Sequence, residues 1–244
     1  MISPIALGDA HACRAALDRD GFTLRPAALD VGETDALLSM LTRPTRPNQG
    51  GDVVRRGFAE RNLLKALPEL RRWLERPSIH ASLTPVFGDP PPIVRAILFD
   101  KTPQSNWKVP WHQDLTINVR HRRECAGFEN WRIRSWGASV QPPVEILRRM
   151  LTLRIHLDAA DADNGALRLI PGSHRAGRLS DEQTRAVIAE TAPVLCVAQR
   201  GDILAMRPLV LHASASGGSP HHRRILHLEF SPDALPGGLE WLGT

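Results

Sequence analysis

The sequence predicts an α+β protein whose β part is a sandwich or jelly roll. Segments with helical spacing come first, and short strands separated by turns follow them. In residues 150–158, apolar and polar side chains alternate strictly. Because successive side chains of a strand point to opposite faces, this strand has one face toward a core and one polar face.

The elements follow from local signals in chain order. Helices are predicted at 8–19, 33–42, 66–88 and 178–191, and strands at 21–29, 91–99, 109–119, 150–158, 194–197, 202–211 and 223–230. Asn164-Gly165, which lies between two alternating runs, predicts a β-hairpin that joins residues 150–158 to the strand ending at Pro171-Gly172.

Length and composition favour one soluble domain spanning residues 1–244. The first twenty residues carry charges and lack a continuous apolar stretch, and no later apolar run is long enough to cross a bilayer, so neither a signal peptide nor a membrane anchor is expected. Cys13, Cys125 and Cys196 are odd in number and far apart, which indicates free thiols and a cytoplasmic location. The sequence gives no indication of oligomeric state.

The formal net charge is +5, and nearly all of the basic residues are arginine. Arginine suits the binding of carboxylates and phosphates, so nucleic acid is one conceivable partner. However, 26 acidic residues are interleaved with the basic ones, and no nucleic-acid-binding motif accompanies them. A small-molecule ligand is therefore favoured over nucleic acid.

Three H-x-D/E pairs are candidate metal ligands. Two ligands at i and i+2 of a strand lie on one face about 6.6 Å apart and can reach one ion. With 10 histidines and 26 acidic residues, about one such pair is expected by chance, so a single pair is a weak signal. The three pairs are His112/Asp114, His156/Asp158 and His227/Glu229.

A second histidine would complete a site of two histidines and one carboxylate, which is typical of non-haem Fe(II) oxygenases. His212 is the candidate, because it ends an apolar strand before a Ser/Gly turn. Arg223 follows eleven residues later, where its guanidinium could hold the far carboxylate of a dicarboxylate cosubstrate. Position alone does not choose between His112/Asp114 and His156/Asp158 as the first two ligands.

Several motifs, taken in order, resemble those of one known family. GFTLRPAAL, ILFDKTP, WHQD, DNGALRLIPGSH, LHASASG and HRRILHLEF are together similar to the phytanoyl-CoA dioxygenase family of Fe(II)/2-oxoglutarate oxygenases. The match covers most of the chain, and NGALRLIPGSH is its most specific part. The resemblance implies a double-stranded β-helix (a cupin-like jelly roll) with N-terminal and flanking helices, and the cofactors Fe(II), 2-oxoglutarate and O2.

The resemblance also assigns roles to individual residues. It implies that His112, Asp114 and His212 bind iron, and that Arg223 and Ser214 hold 2-oxoglutarate. Lys101 is similar to a lysine that lines the pocket in some members. Strand alternation favours Arg223 over its neighbour Arg224. The implied activity is hydroxylation of an unactivated C–H bond with release of succinate and CO2; related halogenases have a small residue where this chain has Asp114.

Arg154 departs from the family pattern, which usually has an aromatic residue there. We hypothesise that it binds an anionic part of the substrate or assists with 2-oxoglutarate. Further candidate substrate contacts are Gln113, Thr152, His156, Trp136 and Gln141. His227 and Glu229 share the face of Arg223, where they either orient a ligand or form only structural hydrogen bonds.

Residues 120–149 form a long insertion rich in arginine and tryptophan. Two interpretations remain open for it, a lid that closes over the metal site and a solvated basic loop. An alternative function for the whole chain is a non-catalytic jelly-roll binding protein with a vestigial metal site. The complete set of three ligands plus Arg223 argues against that alternative.

Overall fold

The computed structural model describes residues 9–42, 54–56, 59–102, 105–217 and 222–244. Within these ranges the helices are α1 (Ala10–Arg19), α2 (Val31–Thr42), α3 (Leu63–Ala66), α4 (Glu69–Leu74), α5 (Pro77–Phe87), α6 (Val144–Arg149) and α7 (Asp181–Glu190). Among these helices, none is long and apolar enough to cross a bilayer. The cysteines at 13, 125 and 196 are unpaired, as the sequence predicts.

The strands of the described residues form three antiparallel sheets. They are β1 (Phe22–Arg25), β2 (Val54–Arg56), β3 (Ala59–Arg61), β4 (Ile93–Lys101), β5 (Val109–His112), β6 (Ile117–Val119), β7 (Glu129–Arg134), β8 (Gly137–Gln141), β9 (Leu151–His156), β10 (Leu167–Leu169), β11 (Val194–Leu195), β12 (Ile203–Met206), β13 (His212–Ser214) and β14 (Arg223–Phe230). The major sheet has the order β1-β12-β9-β14-β4-β3-β2, the minor sheet β11-β10-β13-β5, and the third sheet β6-β8-β7.

The chain alternates between the two larger sheets. It passes from β9 in the major sheet to β10 in the minor sheet, and then from β12 to β13 to β14 in the same manner. This winding is the double-stranded β-helix, and together with the flanking helices it confirms the predicted α+β jelly roll.

The faces of the major sheet follow the predicted alternation. Leu151, Leu153 and Ile155 of β9 pack with the N-terminal helices in the largest apolar cluster. Arg154, between them, is paired with His227 of β14 and faces the space between the sheets. The apolar face anchors the sheet, and the polar face is left free to build a site.

The predicted helix at 66–88 is divided into separate helices. Pro68 is the N-cap of α4 and Pro77 is the first residue of α5. Proline has no backbone N–H to donate and restricts the residue before it, so each proline starts a new helix instead of continuing the old one. The prediction of helical structure in this segment was therefore correct, but the prediction of one continuous helix was wrong.

The Asn164-Gly165 turn does not form the predicted hairpin. β9 pairs with β12 and β14, whereas β10 pairs with β11 and β13. Gly165 has a positive φ of 79°, as a tight turn requires, and the Asn164 side chain accepts a hydrogen bond from the Asp161 amide at 2.9 Å. The turn chemistry is that of a tight bend, but the bend carries the chain from one sheet to the other.

The segment 120–149 is folded and is not a long loop. β7 and β8 form a hairpin that pairs with β6, and α6 follows it. Val119, Val140 and Leu147 lie in an apolar cluster beneath this third sheet. The segment therefore contains regular strands and a helix instead of a continuous loop, although most of β7 is exposed. The interpretation as a lid stays a prediction.

Candidate active site

A cavity of about 520 Å³ opens between the major and minor sheets and is bordered by the third sheet. Its walls are strongly basic. Seven lining residues carry a positive charge, namely Arg61, Arg95, Lys101, Arg132, Arg134, Arg154 and Arg223. Asp114 is the one acidic residue among the described residues that line it.

His112, Asp114 and His212 meet in this cavity. His112 of β5 is the register partner of His212 of β13, and their ring centroids are 4.2 Å apart. The Nε2 atom of His112 lies 3.8 Å from Asp114 Oδ1, and Nε2 of His212 lies 3.8 Å from Asp114 Oδ2. One ligand atom from each residue can be chosen so that all three lie within 4.8 Å of one another. This spacing suits three ligands of one metal ion.

Both histidines are oriented by the backbone. Nδ1 of His112 lies 2.9 Å from the Pro110 carbonyl, and Nδ1 of His212 lies 2.9 Å from the Val210 carbonyl. A carbonyl can only accept, so each Nδ1 donates, and in the neutral ring Nε2 keeps a free lone pair. Metal-binding histidines typically have this arrangement.

The electrostatics also fit a cation. Burial lowers the pKa of His212 to about 4, so its ring is neutral at neutral pH. Burial opposes ionisation of Asp114, but favourable interactions with His212, His227, His112 and Arg95 hold the pKa of that carboxyl well below its usual range. Asp114 Oδ2 is buried without a hydrogen-bond partner among the described residues, although buried carboxylate oxygens are normally paired. A metal ion would supply the missing partner.

A second, basic group lies at another part of the cavity wall. Lys101 and Arg223 are register partners on β4 and β14. Lys101 Nζ donates to Ser214 Oγ at 2.6 Å and to the Ala215 carbonyl at 2.5 Å. Burial, followed by repulsion from Arg223 and Arg154, lowers the pKa of Lys101 to about 8.

Arg223 in this group retains unused hydrogen-bonding capacity. Its side chain is 5% exposed, and its Nε is buried without a partner in the described part of the chain. Burial and the nearby Arg154 lower its pKa to about 10, which leaves it charged at neutral pH. An unpaired buried guanidinium beside an ammonium group fits a bound carboxylate.

Arg154 lies on the same wall and belongs to a buried polar row. Its Nη1 lies 3.1 Å from His227 Nδ1, and His227 Nε2 lies 3.0 Å from Glu229 Oε1. Arg95 forms an ion pair with the same Glu229 oxygen. His227 and Glu229 therefore have hydrogen-bond and ion-pair partners in this row, namely each other and the arginines of the wall.

The His156/Asp158 pair does not join the metal cluster. Asp158 accepts hydrogen bonds from the backbone N–H and from the guanidinium of Arg224, at 2.7–2.9 Å. Among the described residues, the side chains close enough together to hold a metal ion are those of His112, Asp114 and His212. His156 and Asp158 are not among them. Of the two pairs, the structure therefore brings only His112 and Asp114 together with His212.

Four of the candidate substrate contacts lie away from the cavity wall, and Trp136 lies on it. Gln113 is engaged by backbone groups: its amide nitrogen donates to the Gly177 and Leu209 carbonyls, and its oxygen accepts from the Leu179 amide. Gln141 accepts from Asn130. Thr152 and His156 are buried. None of these four side chains lines the cavity, although Thr152 and His156 share the face of Arg154 on β9, and their role in substrate binding stays a prediction.

Several wall residues were not identified from the sequence. Arg95 interrupts the apolar run PPIVRAILF, and Arg132 and Arg134 have the i, i+2 spacing of one strand face. A charged residue within an apolar strand is a usable signal of a polar interior. By contrast, Arg61 and Trp107 reach the cavity through tertiary packing that no local pattern indicates.

Comparison with known proteins gives a family match and a set of similar folds. A family model described as phytanoyl-CoA dioxygenase (PhyH) matches residues 17–225. A search of curated proteins gave no match.

Three solved structures illustrate the likeness of the fold. AviO1 from Streptomyces viridochromogenes Tue57 is 22% identical, with 93% of this chain and 97% of that chain covered and a TM-score of 0.62. EctD from S. alaskensis, solved with 2-oxoglutarate and 5-hydroxyectoine, is 17% identical, with 95% and 78% covered and a TM-score of 0.70. The epimerase SnoN, solved with Fe3+, alpha ketoglutarate and nogalamycin RO, is 17% identical, with 94% and 91% covered and a TM-score of 0.65.

Proposed function

Because this chain belongs to the phytanoyl-CoA dioxygenase family, and is therefore a non-haem Fe(II)/2-oxoglutarate-dependent oxygenase, we propose that it hydroxylates an unactivated C–H bond of a small anionic molecule. Succinate and CO2 are the coproducts. The observation that carries the proposal is the convergence of His112, Asp114 and His212 in one cavity, whose wall also holds Lys101 and Arg223.

His112, Asp114 and His212 would hold the iron. Three protein ligands leave coordination positions open, and bound Fe(II) supplies the activation of O2 that 2-oxoglutarate drives. Asp114 occupies the ligand position that is a small residue in related halogenases, which favours hydroxylation over halogenation. The backbone bonds of both histidines fix their Nε2 atoms toward the metal position before any metal binds.

Arg223, Lys101 and Ser214 would hold the far carboxylate of 2-oxoglutarate. Arg223 offers a buried guanidinium with an unpaired Nε, and Lys101 offers a second positive charge already oriented by Ser214. The keto-acid end of the cosubstrate would remain available to the metal. The protein contributes orientation and exclusion of water, since these groups are buried.

A count of charges supports an anionic substrate. Fe(II) and the 2-oxoglutarate dianion cancel each other, and Arg95 is neutralised by Glu229. Three cations of the wall remain, namely Lys101, Arg154 and Arg223, and Asp114 offsets one of them. The cavity with iron and 2-oxoglutarate bound therefore keeps an excess positive charge, even before Arg61, Arg132 and Arg134 are counted. A neutral substrate would leave that excess buried and unpaired. The free thiols support a cytoplasmic location.

The test is an anaerobic titration of the metal-free protein with Fe(II) and 2-oxoglutarate. We expect the visible charge-transfer band of the chelate in the wild type and in His156→Ala, and its loss in His112→Ala. A substrate screen by succinate release, with mass spectrometry for addition of one oxygen atom, would follow. Absence of the band in the wild type, or its survival in His112→Ala, would refute the assignment.

A further inference from the structure

Three buried side chains and the partly buried Arg95 form a continuous row across the major sheet, from Arg154 through His227 and Glu229 to Arg95. Arg154 and His227 are register partners on β9 and β14, and Glu229 and Arg95 are register partners on β14 and β4. Arg154, His227 and Glu229 are between 2% and 8% exposed. The row ends on the cavity wall at both arginines.

Hydrogen-bond chemistry fixes the state of His227. A guanidinium has donors and no acceptor, so Arg154 donates to His227 Nδ1 at 3.1 Å. That nitrogen must therefore be unprotonated. The other nitrogen, Nε2, carries the proton and donates it to Glu229 Oε1 at 3.0 Å. His227 is thus a neutral link between a cation and a carboxylate.

The charge of Glu229 is already balanced from the other side. Burial opposes ionisation of Glu229, but the ion pair with Arg95, assisted by His227, lowers the pKa of its carboxyl. The net charge of the row is therefore +1, and it resides on Arg154. Arg154 has no carboxylate partner of its own among the described residues; its guanidinium also stacks 5.7 Å from the Phe99 ring centre.

Arg154 differs in this respect from several other arginines of the described residues. Arg95, Arg120, Arg149, Arg200 and Arg224 each form an ion pair with an aspartate or glutamate. A buried row of charges costs more to desolvate than an apolar row of the same size, so it is a poor device for stability alone. Its effect is to hold one guanidinium rigidly against the cavity.

We propose that Arg154 binds an oxyanion of the primary substrate, and that His227, Glu229 and Arg95 are positioning residues that fix its guanidinium. This proposal rests on the proposed function and adds the residue that selects the substrate. The ligand class is a carboxylate or a phosphate ester, because both present oxygens that accept from a guanidinium fork.

The cosubstrate has its own anchor, which is why the substrate is assigned to Arg154. Along β14, the backbone position of His227, the register partner of Arg154, is four residues from Arg223, about 13 Å at the rise of a strand. Lys101 contacts Ser214 and is the register partner of Arg223, and the charge of Arg154 is near enough to lower the pKa of both cations. One carboxylate held by two cations needs no third, and Arg154 is left for another anion.

The experiment uses the Zn(II)-loaded protein with bound 2-oxoglutarate, in which no turnover occurs, and ¹⁵N-labelled histidine. His227 is assigned by difference with His227→Gln. We expect the wild-type ring to show an unprotonated Nδ1 and a protonated Nε2. Acetate and inorganic phosphate should shift these signals to saturation, whereas acetamide, the neutral analogue of acetate, should not. Arg154→Gln should abolish the shift, and Arg224→Gln, which removes an arginine from the other face of β14, should keep it.

Positioning is tested with two replacements of His227 and the same probes, read by calorimetry. Gln can accept from Arg154 and donate to Glu229, so His227→Gln should bind acetate within about threefold of the wild type. Leu can form neither hydrogen bond, so His227→Leu should bind acetate at least roughly tenfold more weakly than the wild type. Equal effects of the two replacements would overturn the positioning role.

Other outcomes separate this proposal from the function it rests on. If acetate displaces 2-oxoglutarate, or if Arg154→Gln loses 2-oxoglutarate itself, Arg154 belongs to the cosubstrate and the proposal is overturned. The proposal is also overturned if neither acetate nor phosphate shifts the ¹⁵N signals of His227 at the highest concentration that leaves the fold intact. Failure of the wild type to bind 2-oxoglutarate at all would instead refute the proposed function.

Discussion

His112 and His212 face each other across the minor sheet, and each donates its Nδ1 proton to the carbonyl two residues before it in the chain. The two rings therefore have matching tautomers, with both Nε2 lone pairs directed toward Asp114. Backbone geometry, rather than the metal, sets this orientation. The site is preorganised, and binding of a divalent ion requires little rearrangement.

The first prediction concerns the charge of Asp114. Asp114→Asn keeps the size of the side chain and removes the negative charge that faces both histidines. We expect affinity for Fe(II) to fall by at least roughly 100-fold, because the carboxylate supplies the one negative ligand. Anaerobic titration with Fe(II) measures this. Unchanged affinity would mean that the metal binds elsewhere.

The second prediction concerns Gly165, whose φ is +79°. A Cβ there would collide with the Ala215 carbonyl and come within 3.0 Å of Lys101 Nζ. We expect Gly165→Ala to weaken binding of 2-oxoglutarate by roughly tenfold, because it displaces Lys101. Gly88→Ala is the matched control, since Gly88 has a φ of +72° and open space around it.

Gly88→Ala should lose about 1–2 kcal/mol of stability to backbone strain, and Gly165→Ala should lose more, because its Cβ also meets the Ala215 carbonyl. Only the Gly165 variant should lose affinity for 2-oxoglutarate, measured by calorimetry with Zn(II) in place of Fe(II). Equal loss of affinity in both would show that the effect is general destabilisation and not displacement of Lys101.

The third prediction is a pH dependence of 2-oxoglutarate binding. Burial and the neighbouring Arg223 and Arg154 lower the pKa of Lys101 to about 8. Above that pH, Lys101 loses its proton in the protein without 2-oxoglutarate. Binding of 2-oxoglutarate then requires Lys101 to take up a proton. Affinity should therefore fall as pH rises above about 8, by up to roughly tenfold per pH unit. Lys101→Arg, which stays charged, should remove the dependence in the same calorimetric assay.

Local sequence patterns predicted the strands and their faces because strand alternation is a property of the chain itself. The alternation in residues 150–158 and 223–230 placed Arg154 and Arg223 on the polar face, and both line the cavity. The Asn164-Gly165 turn shows the limit. Turn chemistry determines where the chain bends, but which sheet the next strand joins depends on strands far away in sequence.

Side-chain contacts were harder to predict than the elements. Gln113 lies between two candidate metal ligands, so a role in substrate binding was a reasonable expectation. Its actual partners are backbone groups of residues 177, 179 and 209, which only the tertiary fold brings together. The three candidate iron ligands could be chosen because the order of several motifs resembled a family, not because the spacing of any one pair was informative.

The fourth prediction concerns His156, which is buried and has both ring nitrogens unpaired among the described residues. Burial, together with Arg154 and Arg223, lowers its pKa to about 3. The ordinary pKa of about 6.5 applies to the unfolded chain. Between these values only the unfolded state binds the proton, so stability falls as pH falls, by up to about 1.4 kcal/mol per pH unit.

His156→Leu should therefore flatten the acid dependence of unfolding in the metal-free protein. His212, whose pKa is about 4, keeps its own contribution over much of the same range, so the slope should decrease without vanishing. Urea unfolding over a pH series measures this, with the exposed His11→Leu as control. An unaltered slope in His156→Leu would mean that His156 is charged in the folded protein.

The last prediction compares two neighbouring arginines of β14. Arg223 faces the cavity with an unpaired Nε, whereas Arg224 faces the other way and pairs with Asp158 at 2.7 Å. Arg223→Gln should weaken 2-oxoglutarate binding by roughly 100-fold, because it removes a buried charged partner of a carboxylate. Arg224→Gln should leave that affinity unchanged and cost about 0.5–1 kcal/mol of stability, as a partly exposed ion pair does.

Calorimetry with 2-oxoglutarate and Zn(II), beside urea unfolding, separates the two effects of this comparison. The two substitutions are chemically identical and adjacent, so general loss of positive charge or of strand propensity affects both equally. A difference in affinity then reports only the face on which each side chain lies. Comparable losses of affinity in both variants would mean that long-range charge, rather than a direct contact from Arg223, attracts the cosubstrate, and the assigned anchor would have to be abandoned.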